Sequence, residues 1–185
     1  FPMPKRIALL ATGGTIACTE TDQGLVPTLT AAQLLEPIAD SLPCTVLPQA
    51  VFRMDSSNMQ PEEWSTLARA VDRAVADCDG VVITHGTDTM AYTASALSFM
   101  LAGIPKPVIL TGSELPLFHP LTDARGNLRR AVAAATLGMP GVYVSFDYKL
   151  ISGVRCVKTH TTAMNAFSSI NAPLAGYFDV EGLHM

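Results

Sequence analysis

Apolar residues fall into two kinds of run along the chain. Short β-favouring stretches bounded by turn residues predict strands at Ile7–Ala11, Thr45–Phe52, Val81–Thr84, Val108–Thr111 and Val142–Phe146. Between them lie segments with helical period. The clearest is Pro61–Cys78, where Trp64, Leu67, Ala68, Val71, Ala74, Val75 and Cys78 follow the i, i+3, i+4, i+7 rule. Pro61 suits the first helical position, and Glu62 and Glu63 suit the positive end of the helix dipole. A second helix follows Thr30, which pairs with Gln33 in a capping-box pattern and meets Pro37 as its stop. A third is expected from near Asp88 to Leu101, and a fourth from near Asp123 to about Leu137.

Several of these strands are apolar throughout, the pattern expected where helices cover both faces of a parallel sheet. Strand and helix alternate along most of the chain, which predicts an α/β fold: Rossmann-like, doubly wound, with a mainly parallel sheet and helices on both faces. Pro48 has no N–H to give to a ladder, so Thr45–Phe52 is expected at an edge or interrupted.

Composition narrows the function classes. With 49% hydrophobic and 15% charged residues among 185, the chain is suited to one globular domain, residues 1–185. A net charge of −4 with no basic cluster beyond Arg129-Arg130 gives no footprint for nucleic acid. The apolar stretches are strand-sized, whereas a helical membrane span needs about 20 residues, so no membrane association is expected. The run Ile7–Ala11 leads directly into a structured-looking motif, so no cleavable leader is expected, and Phe1-Pro2 reads as a tag remnant before a start at Met3. Cys18, Cys44, Cys78 and Cys156 form no Cys-x-x-Cys pair, which suggests neither zinc site nor disulfide framework and fits a reducing cytoplasm.

Three strands end in related ways, at Thr12-Gly13-Gly14-Thr15, Thr84-His85-Gly86-Thr87 and Thr111-Gly112-Ser113-Glu114. In an open parallel sheet all three exits lie at the carboxyl edge, where ligands collect at the point of strand-order reversal. Gly13-Gly14 permits positive φ or close backbone approach and delivers the Thr15 hydroxyl to the crevice; it serves equally as a tight turn. It is not a phosphate loop, since neither a Walker motif nor Gly-x-Gly-x-x-Gly occurs. Thr87-Asp88 places a hydroxyl beside a carboxylate, suited to orienting a water or attacking a carbonyl while binding an amine, or to capping a helix. A hydroxyl nucleophile needs a base or a neighbouring positive charge, and Lys158 is the downstream cation in a comparably patterned context. Asp55-Ser56-Ser57-Asn58, before the clear helix, reads as a carboxylate cradle or a capped loop. Neither His85 nor His119 has a Ser/Asp partnership for a triad.

Taken together, Ala11-Thr12-Gly13-Gly14-Thr15-Ile16-Ala17, Asp55-Ser56-Ser57-Asn58-Met59, Thr84-His85-Gly86-Thr87-Asp88-Thr89-Met90, Leu110-Thr111-Gly112-Ser113 and Lys158-Thr159-His160-Thr161-Thr162 resemble the bacterial-type L-asparaginase (asparaginase/glutaminase) family. The segments come in the family's order and cover nearly the whole chain. The resemblance implies hydrolysis of the side-chain amide of L-asparagine to aspartate and ammonia through a threonine acyl-enzyme, with preference over glutamine. It implies Thr15 as primary nucleophile and Thr87, Asp88 and Lys158 as a second catalytic cluster. Ser56 would hold the substrate α-carboxylate and Asp88 its α-ammonium, with Ser57 and Gly86 as further binding positions. No metal or organic cofactor is implied.

Two departures from the family pattern matter. Family chains usually have about 330 residues in two domains, a length suited to two units of ordinary size. This chain corresponds to the larger N-terminal domain, so the smaller C-terminal domain is expected to be absent. Exposed apolar surface, and with it a homo-oligomer, is the expected consequence. Second, Gln23-Gly24-Leu25-Val26-Pro27 resembles the cytoplasmic-type branch, yet Leu25 stands where that branch carries a tyrosine that contacts the nucleophile. Leucine relays no proton. A non-catalytic amino-acid-binding module of the same fold is therefore the competing reading.

Overall fold

The computed structural model describes residues 3–185; Phe1 and Pro2, with the proposed tag remnant, lie outside the described residues. In chain order the elements are β1 (Arg6–Gly13), β2 (Cys18–Thr21), β3 (Gly24–Pro27), α1 (Ala31–Leu35), β4 (Thr45–Met54), α2 (Pro61–Asp77), β5 (Gly80–Thr84) and α3 (Met90–Met100). There follow β6 (Pro107–Thr111), α4 (Ala124–Ala135), β7 (Gly141–Phe146), β8 (Lys149–Ser152), β9 (Cys156–Lys158), β10 (Phe167–Ser169), β11 (Gly176–Asp179) and β12 (Gly182–His184).

The main sheet runs β12-β11-β8-β7-β6-β5-β1-β4. The ladders from β4 through β1, β5 and β6 to β7 are parallel, and β8, β11 and β12 extend the sheet antiparallel. The fold is therefore α/β with a mainly parallel mixed sheet flanked by helices, and the expected edge position of the Pro48 strand holds: β4 is terminal, with Pro48 opposite Leu9.

Strand alternation builds two apolar layers. Ile7, Leu9, Val82 and Ile109 point to the face covered by α1 and α4, against Leu34, Leu128, Ala131 and Val132. Ala8, Leu10, Val81, Ile83, Val108 and Leu110 point to the other face, under α2 and α3, against Leu67, Val71, Ala94 and Leu97. Both β5 and β6 are buried along their whole length, which is why their sequences are continuous apolar runs. Burying one such Leu or Ile side chain contributes about 1.5–3 kcal/mol.

The helix starts follow the local chemistry. Thr30 Oγ1 accepts from the Gln33 N–H and Gln33 Oε1 accepts from the Thr30 N–H, at 3.2 and 2.9 Å. Beyond Leu35 the chain tightens into a 3₁₀ turn, Glu36–Ser41, because Pro37 has no N–H for a longer α-helix. Pro61 opens α2, and Glu63 Oε2 accepts from the Gln60 N–H at 2.7 Å. α3 starts at Met90 rather than Asp88, which leaves Thr87-Asp88-Thr89 outside the helix.

Winding reverses between β1 and β5: the chain leaves β1 for β4 on one side, then crosses back to β5 and continues through β6 to β7 on the other. Such a reversal opens a crevice at the carboxyl ends of the strands. The exits of β1, β4, β5 and β6 all lie along this edge.

Candidate active site

Glycine sets how closely the exits approach. Gly13 and Gly14 have φ of 103° and 79°, the left-handed region that favours glycine. A Cβ on Gly14 would strike the Gly86 backbone, and a Cβ on Gly86 would strike the Ser56 side chain. The Gly14 N–H donates to the Met54 carbonyl at 3.0 Å. The loops after β1, β4 and β5 are thus nested by backbone contact, and Thr15, Ser56 and Thr87 are drawn together.

They surround a cavity of about 190 Å³ lined by Gly14, Thr15, Cys18, Leu25, Pro27, Asp55, Ser56, Gly86, Thr87 and Asp88. Drug-sized ligands occupy about 300–1,000 Å³, so this space is scaled to a smaller molecule. Thr15 begins a 3₁₀ turn, Thr15–Ala17, whose Ile16 and Ala17 are buried and fix the turn in the core. Ser56 is buried at the start of a second 3₁₀ turn, Ser56–Asn58. Its carbonyl accepts from the Thr89 hydroxyl at 2.8 Å, tying the β4 exit to the β5 exit.

Lys158 enters from β9, where it pairs with Phe167 of β10 in a separate two-stranded sheet. Its Nζ donates to Thr87 Oγ1 at 2.8 Å and to Asp88 Oδ1 at 2.9 Å. The Lys158 side chain is mostly buried, whereas that of Asp88 is 64% exposed. Glu114 Oε1 lies 3.8 Å from the same Nζ, with its side chain 11% exposed. Burial holds the Glu114 carboxyl above its ordinary range, and the Lys158 charge partly offsets this.

Behind the cavity, His85 is fully buried. Its Nδ1 lies 2.7 Å from the Gly86 carbonyl, which only accepts, so Nδ1 carries the proton. Nε2 consequently accepts from the Thr93 hydroxyl at 2.9 Å, and Thr93 Oγ1 accepts from Trp64 Nε1–H at 2.9 Å. Burial lowers the His85 pKa to about 4, so the ring is a neutral support for the Gly86 backbone. Among the described residues, the hydrogen-bond partners of its ring are Gly86, Met59 and Thr93.

Thr15, Thr87, Asp88, Ser56 and Gly86 all line the one cavity. Lys158 stands behind Thr87 and reaches the site through it. Ser57 is exposed and outside the lining; its N–H donates to Asp55 Oδ1 at 2.9 Å, which makes it part of the loop cap. Cys18 also lines the cavity, with no sequence pattern to mark it as a site residue, and Asp55 and Pro27 line it from segments in which the sequence points to Ser56 and Leu25. The β2–β3 hairpin is equally unanticipated: Thr21 pairs with Gly24 around a two-residue turn, and the hairpin presents Leu25 to the cavity. Burial, and then the Asp55 carboxylate, push the Cys18 thiol up. Among the described residues, no three His, Cys, Asp or Glu side chains converge as a metal-ligand set.

The asparaginase N-terminal family model matches residues 6–185. The chain is 45% identical over 174 residues to an L-asparaginase from Thermococcus kodakarensis, covering 93% of this chain and 53% of that protein. The solved structure of the thermostable L-asparaginase from that organism superposes with a TM-score of 0.90 at 44% identity, over 96% of this chain and 55% of that one. One component of the glutamyl-tRNA(Gln) amidotransferase of Archaeoglobus fulgidus is 40% identical over 190 residues, covering 96% of this chain and 44% of that protein. The structure of a probable cytoplasmic L-asparaginase from Campylobacter jejuni superposes with a TM-score of 0.85 at 34% identity, over 98% of this chain and 56% of that one. The chain thus spans about half the length of the relatives it matches. By sequence and fold alike, it belongs to the asparaginase family of amidohydrolases, in the region of that family's N-terminal domain.

Proposed function

We propose that the chain is an L-asparagine amidohydrolase that forms a threonine acyl-enzyme. The observation that carries this reading is the Lys158–Thr87–Asp88 hydrogen-bonded cluster opening on the cavity that Thr15 also lines. Thr15 Oγ1 attacks the side-chain amide carbon, and ammonia leaves as the ester forms. Water then attacks that ester beside Thr87 and releases aspartate. Asp88 gives Oδ1 to Lys158, and its exposed carboxylate has capacity left for the substrate α-ammonium. Ser56 receives the α-carboxylate and Gly86 lets the substrate lie against backbone.

Residues 1–185 form one catalytic-type domain in this reading, working in the cytoplasm as a homo-oligomer without cofactor. Among the described residues no helix is long and apolar enough to cross a membrane. Asparagine is preferred to glutamine within the limit set by a pocket, where one methylene is worth about 1–3 kcal/mol.

Leu25 supports the competing reading, a non-catalytic amino-acid-binding module, because it lines the cavity with no hydroxyl to offer Thr15. Ammonia release from asparagine, with Thr15→Ala as control, separates the two. Hydrolysis abolished by the substitution supports the enzyme, and aspartate binding without hydrolysis supports the module.

A further inference from the structure

Glu114 follows the exit of β6 and is bound into its loop from both sides. Its N–H and that of Leu115 donate to Asp123 Oδ2 and Oδ1 at 2.9 and 3.1 Å, and Ser113 Oγ donates to the Leu115 carbonyl. The side chain enters the protein toward Lys158, and its buried Oε1 has no hydrogen-bond partner among the described residues. No other carboxylate oxygen among those residues is buried and unpartnered in this way. A carboxylate in that position is costly, and its retention calls for a role.

The charged and titratable groups facing it are Lys158, Asp123 and Asp88, with the Thr87 hydroxyl close enough to favour its ionised form. Lys158 commits two N–H groups to Thr87 and Asp88, and at 3.8 Å it is beyond hydrogen-bond reach of Glu114. Since Lys158 donates to Thr87 Oγ1, the hydroxyl proton of Thr87 must point elsewhere. An ammonium cannot take that proton. Asp88 is solvent-exposed and already paired with Lys158.

Resting on the amidohydrolase reading, we propose that Glu114 accepts the hydroxyl proton of Thr87 during hydrolysis of the acyl-enzyme, while Lys158 holds the Thr87 oxygen as a fixed positive charge. As water adds to the acyl carbon, its O–H bond breaks and the proton passes to Thr87 Oγ1. The former Thr87 proton moves to Glu114. When the tetrahedral adduct collapses, the ester C–O bond breaks with its electron pair on Thr15 Oγ1. The proton held by Glu114 returns through Thr87 to that oxygen, so one water is consumed, aspartate leaves and Glu114 is again ionised. Glu114 acts only through Thr87. The burial that raises its basicity suits it to the task.

Glu114→Gln keeps the shape and removes the base. Rapid-quench assays with asparagine should show a burst of one ammonia per chain followed by turnover slowed about 100- to 10,000-fold, the usual range for a general base. Intact-mass spectrometry should find the accumulated aspartyl ester, and KM for acylation should change little because Glu114 does not line the cavity. The wild type should show an acidic limb in kcat, and Glu114→Gln should lose it. Carbon-13 titration supplies a readout besides activity: the Glu114 carboxyl should titrate above the ordinary glutamate range, and higher still in Lys158→Met. Wild-type turnover in Glu114→Gln, loss of the burst itself, or a Glu114 that titrates as in a free peptide would overturn the relay and leave the amidohydrolase standing. A wild-type chain that releases no ammonia would overturn both.

Discussion

Lys158 donates to the Thr87 hydroxyl across 2.8 Å, although 71 positions separate them in sequence, Thr87 lying in the loop after β5 and Lys158 on the separate β9–β10 pair. The ammonium is fixed from the other side by Asp88, so it faces the Thr87 oxygen without large rearrangement. Removing the charge should therefore harm the reaction more than binding. In Lys158→Met turnover is expected to fall about 100- to 1,000-fold, the usual cost of losing one electrostatic donor, with a much smaller change in aspartate affinity. Leu25→Ala, on the exposed hairpin, should have only a modest effect. Steady-state kinetics alongside aspartate titration checks both, and a Lys158→Met protein with wild-type turnover would exclude the charge from the mechanism.

His85 makes stability fall on the acid side. Its pKa is about 4 in the fold and 6.5 in its ordinary state, so between these values the unfolded chain binds more protons. The contribution is fully present above about pH 6.5 and is lost as pH falls toward 4, a cost on the order of 3 kcal/mol. Urea unfolding at pH 7, 6 and 5 should show the decline, and His85→Gln should flatten it. An equally steep decline in the variant would assign the effect to other groups.

Glu114 has the opposite sign. Its raised pKa means that the fold disfavours the ionised form, so its contribution to stability diminishes as pH rises through the titration. At neutral pH Glu114→Gln should melt at a higher temperature than the wild type, and the gap should shrink on acidification. A lower Tm at neutral pH would show that the ion pair with Lys158 outweighs desolvation.

The outer face of α3 carries Tyr92 and Phe99, seven residues apart and 67% and 74% exposed, with Met100 beside them at 47%. Apolar exposure of this kind favours association with a second copy. Light scattering at micromolar concentration should find an oligomer, and Phe99→Asp should reduce its mass. A wild-type monomer would remove α3 as an interface.

Much of this arrangement was legible in the chain because periodicity and glycine act locally. The five strands of the parallel ladder announce themselves as β-favouring runs, Pro48 marks the one at the edge, and the related endings at Thr12, Thr84 and Thr111 converge because parallel strands share one carboxyl edge. The strands β8 to β12 carry three or four residues each, too few for a repeating pattern, and are held by pairing to distant segments. The hairpin at Leu25 has the same brevity. The resemblance gives Ser57 a binding position beside Ser56, whereas only the fold shows that the 3₁₀ turn buries Ser56 and exposes Ser57. Glu114 was visible only as the last residue of a strand exit; its importance comes from burial and from Lys158, which no local pattern encodes.

The central claim is that Thr15 attacks an amide within the cavity shared with Thr87 and Asp88. Its most direct measurement is ammonia release from L-asparagine by the purified chain and by Thr15→Ala, with aspartate binding measured on both. Steady ammonia release by the wild type and none by a Thr15→Ala protein that still binds aspartate is the expected result. Equal release by the two proteins, or none from a wild type that binds aspartate, would contradict it.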